Sequence, residues 1–140
     1  MSRYVLDTSA YSQFNRGDAR VVALIDSALW IGVPTVVLGE LEAGFLLGAP
    51  ARLEKNRSIL DGLMNHPAVE ELGIDRETSR IYAEILIELR QSGLTIPTND
   101  IWIAATAAQS GARVLTYDEH FRAVQRIGSL VLKPFGALKG

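Results

Sequence analysis

"YVLDTSAY", Tyr4–Tyr11, is the stretch on which the reading of this chain turns. Tyr4, Val5 and Leu6 run straight into Asp7, and two hydroxyl residues, Thr8 and Ser9, follow. A short apolar run of this kind reads as a strand buried on both faces, the kind found in parallel sheets. Ending such a strand on a charge needs a reason. Taken alone, Asp7 is best read as the N-cap of a following helix.

The rest of the chain repeats the alternation. "DARVVALIDSAL" reads as a helix capped by Asp18, and "WIGVP" as a short extended segment stopped by Pro34. Thr35 is placed to cap a helix through "VVLGELEAGFLLG", where Val37, Leu38, Leu41 and Phe45 keep helical spacing. "PARLEKNRSILDGLMN" is a further helix opened by Pro50, and "AVEELGI" a strand. "DRETSRIYAEILIELRQSG" is amphipathic and closed by Gly93. Thr98 or Asn99 is placed to cap a helix that Gly111 ends. "ARVLTYD" is a strand stopping at Asp118, and "SLVLKPF" adds an edge strand. Strands alternating with helices imply an α/β sandwich with a mainly parallel sheet. The 140 residues fit one domain, 1–140.

Composition excludes several classes. With 14 basic and 16 acidic residues the net charge is -2, so any nucleic-acid binding must use a local patch. There are no cysteines, which excludes disulfides and thiolate metal sites and fits a reducing cytoplasm. Asp7 interrupts the N-terminal apolar run, so no signal peptide is expected there. The longest apolar stretch, "ALWIGVPTVVLG", is broken by Pro34 and two glycines, so no membrane span is expected.

Four acids stand where they could face one crevice. Ligands of parallel sheets collect at the carboxyl ends of the strands. Asp7 and Asp118 end two predicted strands, Asp100 lies in the first turn of a helix, and Glu40 lies one turn inside the helix after Pro34. Glu42 is a rival to Glu40, but the two point about 200° apart on a helix, so only one can face the crevice. Two carboxylates ~4 Å apart repel by about 4 kcal/mol at an effective dielectric of 20. A divalent cation removes that repulsion. Mg²⁺ or Mn²⁺ prefers oxygen donors and acidifies water, which suits hydrolysis of a phosphodiester. Thr8, Ser9, Asn99 and Thr116 stand beside the acids and could orient them; singly, each reads as a cap or turn residue.

The combination resembles the PIN domain, and most closely the VapC toxins of VapBC toxin–antitoxin modules. The matching pieces are "YVLDTSAY", "ELEAG" from Glu40, "PTNDIWIAATA" around Asp100 and "VLTYDEHF" around Asp118, in the family's order and spacing. The resemblance implies a three-layer α/β/α sandwich and a Mg²⁺- or Mn²⁺-dependent endoribonuclease. Its acidic site falls on Asp7, Glu40, Asp100 and Asp118, as catalytic residues and metal ligands. Thr8, Ser9, Asn99 and Thr116 fall on the polar positions beside them. It also implies a cytoplasmic homodimer with an RNA substrate and a VapB-like antitoxin, for which the stretch from Phe45 through Met64 is a candidate contact.

Substrate binding needs positive charge near the acids, and Arg16, Arg20, Arg113, Arg122 and Arg126 flank the acidic segments. Trp102 reads as core or groove wall. His66 and His120 are not expected to form a site. One rival is a PIN-like module that binds a protein partner without cleaving. Another, an aspartate-nucleophile phosphatase, needs a second aspartate two places after the first, where Ser9 stands.

Overall fold

The computed structural model describes residues 2–132. Five strands form one sheet: β1 Arg3–Leu6, β2 Trp30–Pro34, β3 Val69–Leu72, β4 Arg113–Thr116 and β5 Ser129–Val131. Their order is β3-β2-β1-β4-β5, and every pairing is parallel. The helices are α1 Thr8–Asn15, α2 Ala19–Ser27, α3 Thr35–Leu47, α4 Leu53–Met64, α5 Arg76–Gln91 and α6 Thr98–Ser110. Short 3-10 turns span Pro50–Arg52 and Glu119–Ala123. Together these make the α/β/α sandwich with a parallel sheet that the alternation of elements implies.

The strand sequences match their positions. Val5, Leu6, Val114 and Leu115, on the two central strands, are fully buried. The edge strand β3 exposes Glu70 and Glu71, whose charges discourage pairing with another edge. The part of "SLVLKPF" from Lys133 onward lies outside the described residues; the strand itself is β5.

Helix α6 is the most deeply set. Ile101, Ile103, Ala104, Ala105, Thr106 and Ala107 are all buried, and the helix packs on β1, β2, β4 and α5. Its run of small side chains lets it lie close to the sheet. It ends at Gly111, whose φ of 62° is the left-handed conformation a helix C-cap favours.

Two helix starts differ from expectation. The N-caps of α3 and α6 are Pro34 and Pro97, so Thr35 and Thr98 are first helical residues and Asn99 is the second. Each proline holds φ near its ring-fixed value with an extended ψ, which sets the chain's entry one residue early without a side-chain cap. Strand β4 likewise stops at Thr116, because Asp118 turns to cap the following 3-10 turn by accepting from the His120 amide at 2.9 Å.

This topology fixes where a site can form. From β1 the chain moves out to β2 and β3, and from β4 it moves the opposite way to β5. The crevice beyond the carboxyl ends of β1 and β4 is therefore the switch point of the sheet, where ligands of such folds bind.

Candidate active site

Asp7 follows β1 directly and stands at that switch point. It is only 4% exposed. Its carboxylate caps α1, accepting from the Ala10 amide at 2.8 Å, so the capping expectation holds. The same carboxylate also accepts from Ser9 Oγ at 2.8 and 3.0 Å and from Thr116 Oγ1. Burial pushes its pKa up, the hydrogen bonds from Thr116, Ala10 and Ser9 oppose the shift, and the Asp118 charge adds to it. A cap alone does not require a carboxylate buried this deeply beside another acid.

Ser9 and Thr116 tie the two strand ends together. Ser9 Oγ accepts from the Tyr117 amide at 2.9 Å. Thr116 Oγ1 accepts from the Asp118 amide at 2.8 Å while donating to Asp7. The loop that carries Asp118 is thus fixed relative to Asp7 by two hydroxyls, each both donor and acceptor. One turn further out, Tyr117 Oη donates to Asp18 Oδ2 at 3.0 Å, fastening the same loop to the start of α2.

Asp100 is brought in by the first turn of α6. Its pKa is pushed up to about 6, first by desolvation and then by the charges of Asp118, Asp7 and Glu40. All four acids therefore act within one electrostatic neighbourhood. Glu40 reaches it from α3, accepting from Thr8 Oγ1 at 2.8 Å. Glu42 points elsewhere and pairs with Arg57 at 2.9 Å.

His120 completes the cluster, contrary to the expectation that the histidines stand apart. Its Nδ1 lies 3.1 Å from Asp118 Oδ1 and 3.6 Å from Asp100 Oδ2. One donor atom from each of Asp100, Asp118 and His120 falls within 4.8 Å of the others. The signal was its place two residues after Asp118, inside the turn that Asp118 caps. His66 is unrelated to this site: its Nδ1 accepts from the Ala68 amide at 3.1 Å in its own turn.

Several other candidates lie elsewhere. Asn99 is exposed on α6 and makes no hydrogen bond to the acids among the described residues. Arg113 opens β4 at the amino end, the sheet edge opposite the acids. Arg126 is bound to Glu84 and lies 3.9 Å from Glu88, both on α5. Arg20 lies 3.9 Å from Asp18, while Arg16 closes α1 and Arg122 lies in the 3-10 turn after Asp118. Trp102 stacks on Tyr82 of α5 with ring centroids 4.0 Å apart, a packing role as expected.

The donor set suits a hard divalent cation: carboxylate oxygens, one imidazole nitrogen and no sulfur. Two of these carboxylates have their ionised forms disfavoured by burial and mutual repulsion, which a cation would offset. Among the described residues no helix is long and apolar enough to cross a membrane.

Comparison with known proteins identifies the family and the fold. The PIN domain model matches residues 4–127. The chain is 33% identical over 126 residues to Ribonuclease VapC5 of Mycobacterium tuberculosis, covering 90% of each chain. The solved structure of VapBC-5 from the same organism matches with a TM-score of 0.69 and 30% identity, over 94% of this chain and 100% of the other. VapBC2 of Rickettsia felis, solved bound to a promoter DNA fragment, shares the fold at a TM-score of 0.80 and 24% identity, over 94% and 99% of the two chains. With the family model spanning strands β1 to β4, the switch point between β1 and β4 and all four acids, this chain belongs to the PIN-domain family.

Proposed function

We propose that this chain is a Mg²⁺- or Mn²⁺-dependent endoribonuclease that acts as the toxin of a VapBC-type module. The observation that carries the reading is the gathering of Asp7, Glu40, Asp100 and Asp118 at the switch point of the sheet, with Thr8 bonded to Glu40 and Ser9 and Thr116 bonded to Asp7. The names of its relatives support ribonuclease chemistry and an antitoxin partner.

In this reading Asp7, Asp100 and Asp118 hold the cation, and Glu40 is a ligand or a base beside it. The cation supplies charge to offset the developing oxyanions and makes water acidic enough to attack phosphorus. Thr116 and Ser9 hold the Asp7 carboxylate at a fixed angle. Thr8 holds Glu40 in the same way. Glu40 then accepts the proton released as water attacks. Hydrolysis of this kind leaves 5′-phosphate and 3′-hydroxyl ends.

The partner reading draws on the end of α3, where Leu46 and Leu47 are 65% and 89% exposed. They belong to the candidate antitoxin stretch. Phe45, Leu60 and Leu63 in the same stretch are buried in the core. A homodimer would cover further surface.

The direct test is cleavage of an RNA pool by the purified chain, freed of co-purifying protein, with Mn²⁺ or Mg²⁺ against chelator. Metal-dependent cleavage that disappears in a folded Asp7→Asn variant supports the proposal. Cleavage in chelator, or 2′,3′-cyclic phosphate products, overturns it.

A further inference from the structure

A second charged feature lies on the far side of α1. A cleft of about 770 Å³ is lined by Asn15 and Arg16 at the end of α1, Gly48 at the end of α3, and Arg52, Lys55 and Asn56 at the start of α4. Its lining carries three cations and no carboxylate, in a chain whose net charge is -2. None of the three cations has an acidic partner among the described residues. Uncompensated positive charge gathered on an acidic protein favours an anionic ligand.

The fitting ligand thus offers anionic oxygens to the two arginines and the lysine, as the phosphates of an RNA strand do.

Position connects the cleft to the acids. Thr8 at the start of α1 is bonded to Glu40 on α3, and Asn15 and Gly48, at the far ends of the same helices, share the cleft. The two helices therefore run side by side from the acidic pocket to the cleft. The separation is about 12 Å along an eight-residue helix such as α1. A single strand with its scissile phosphate over the acids reaches the cleft within a few nucleotides.

We propose that this cleft is a remote anchor for the RNA strand, with Arg16, Arg52 and Lys55 on its phosphate oxygens. The assignment rests on the ribonuclease reading and adds to it a positioning site for the substrate. It also gives Arg16, but not Arg113 or Arg126, a place in substrate binding.

The test is fluorescence anisotropy of labelled random-sequence RNA and DNA oligonucleotides on the full chain in chelator, over a range of salt. The variant is Arg52→Ala/Lys55→Ala, at two exposed positions, with thermal melts to check folding. The expected result for the double variant is binding of RNA weaker by about tenfold and a salt slope shallower by about 1.4, at 0.7 per lost phosphate contact. A folded double variant with unchanged RNA affinity and slope overturns the anchor alone, and leaves the nuclease reading intact if metal-dependent cleavage persists. The same variant losing a synthetic acidic peptide but not RNA assigns the cleft to a protein partner and overturns the anchor. A wild-type chain that binds no RNA at low salt overturns both.

Discussion

Thr116 Oγ1 donates a hydrogen bond to Asp7 Oδ2, joining residues 109 positions apart in sequence across the two central strands. The same oxygen accepts from the amide of Asp118. One hydroxyl therefore sets the spacing of two acids. Thr116→Val keeps the shape and removes both bonds, leaving a buried carboxylate short of a donor. The expected loss of stability is about 1.5–3 kcal/mol, the range for a hydrogen bond to a charged group. Metal affinity should fall by roughly 10- to 100-fold, as when a group that orients a ligand is lost. Urea unfolding and Mn²⁺ titration calorimetry measure the two effects separately. An unchanged metal affinity would show that the hydroxyl is only structural.

Asp7 has two roles, and one substitution separates them. Asn at this position still accepts from the Ala10 amide and caps α1. It removes the charge whose burial is unfavourable. Asp7→Asn should therefore abolish metal-dependent cleavage while leaving the melting temperature in chelator equal to the wild type or higher. Asp7→Ala loses the cap as well and should be about 1 kcal/mol less stable than Asp7→Asn. Melting curves in chelator rank the three proteins, and a lower melting point for Asp7→Asn than for Asp7→Ala would sink the account.

The acids and most elements were legible because each rests on a local pattern. Asp18 before a helix, Gly111 after one and short apolar strands all act through neighbouring residues. The errors came where tertiary geometry decides. Pro34 and Pro97 start their helices early through fixed backbone angles, and Asn99 stands exposed as the second residue of α6. Arg113 was assigned by its nearness to Asp118 in sequence, but four residues of strand carry it to the opposite edge of the sheet. His120 has only a weak local signal, its place two residues after Asp118 in a turn. Only the folding of α6 against the turn brings Asp100 to it.

Glu40 and Glu42 offer an internal control. They share a helix, but Glu40 accepts from Thr8 beside the acids while Glu42 pairs with Arg57 on the surface. Glu40→Gln should lower the cleavage rate by at least about tenfold, within the range expected of a base or ligand. Glu42→Gln should leave the rate within about twofold and change stability by less than about 1 kcal/mol, since exposed ion pairs contribute little. Cleavage assays at saturating Mn²⁺ distinguish them. Equal losses from both substitutions would show that the α3 face has been assigned wrongly.

The raised pKa of Asp100 predicts a pH dependence with a definite sign. Its folded value is about 6 against 3.8 for the free side chain. Between these values the folded state holds more proton than the unfolded state, so stability falls as pH rises through that window. The penalty is complete above the folded pKa and absent below the unfolded one. Asp100→Asn removes it, so in chelator the variant should be more stable than the wild type at neutral pH, by about 1–2 kcal/mol after the full shift is discounted for solvent screening of a half-buried group. The two curves should converge as pH falls toward 3.8. Asp18 and Asp75, whose pKa values are lowered, oppose this trend, but they are common to both proteins and cancel in the difference. Saturating Mn²⁺ should reverse the order at neutral pH, because a ligand bound only to the folded wild type adds about 4.1 kcal/mol at 1,000 times its dissociation constant, more than the penalty. Chemical unfolding across pH, with and without metal, reads all of this. Parallel wild-type and variant curves in chelator would mean that Asp100 is not held among the other acids.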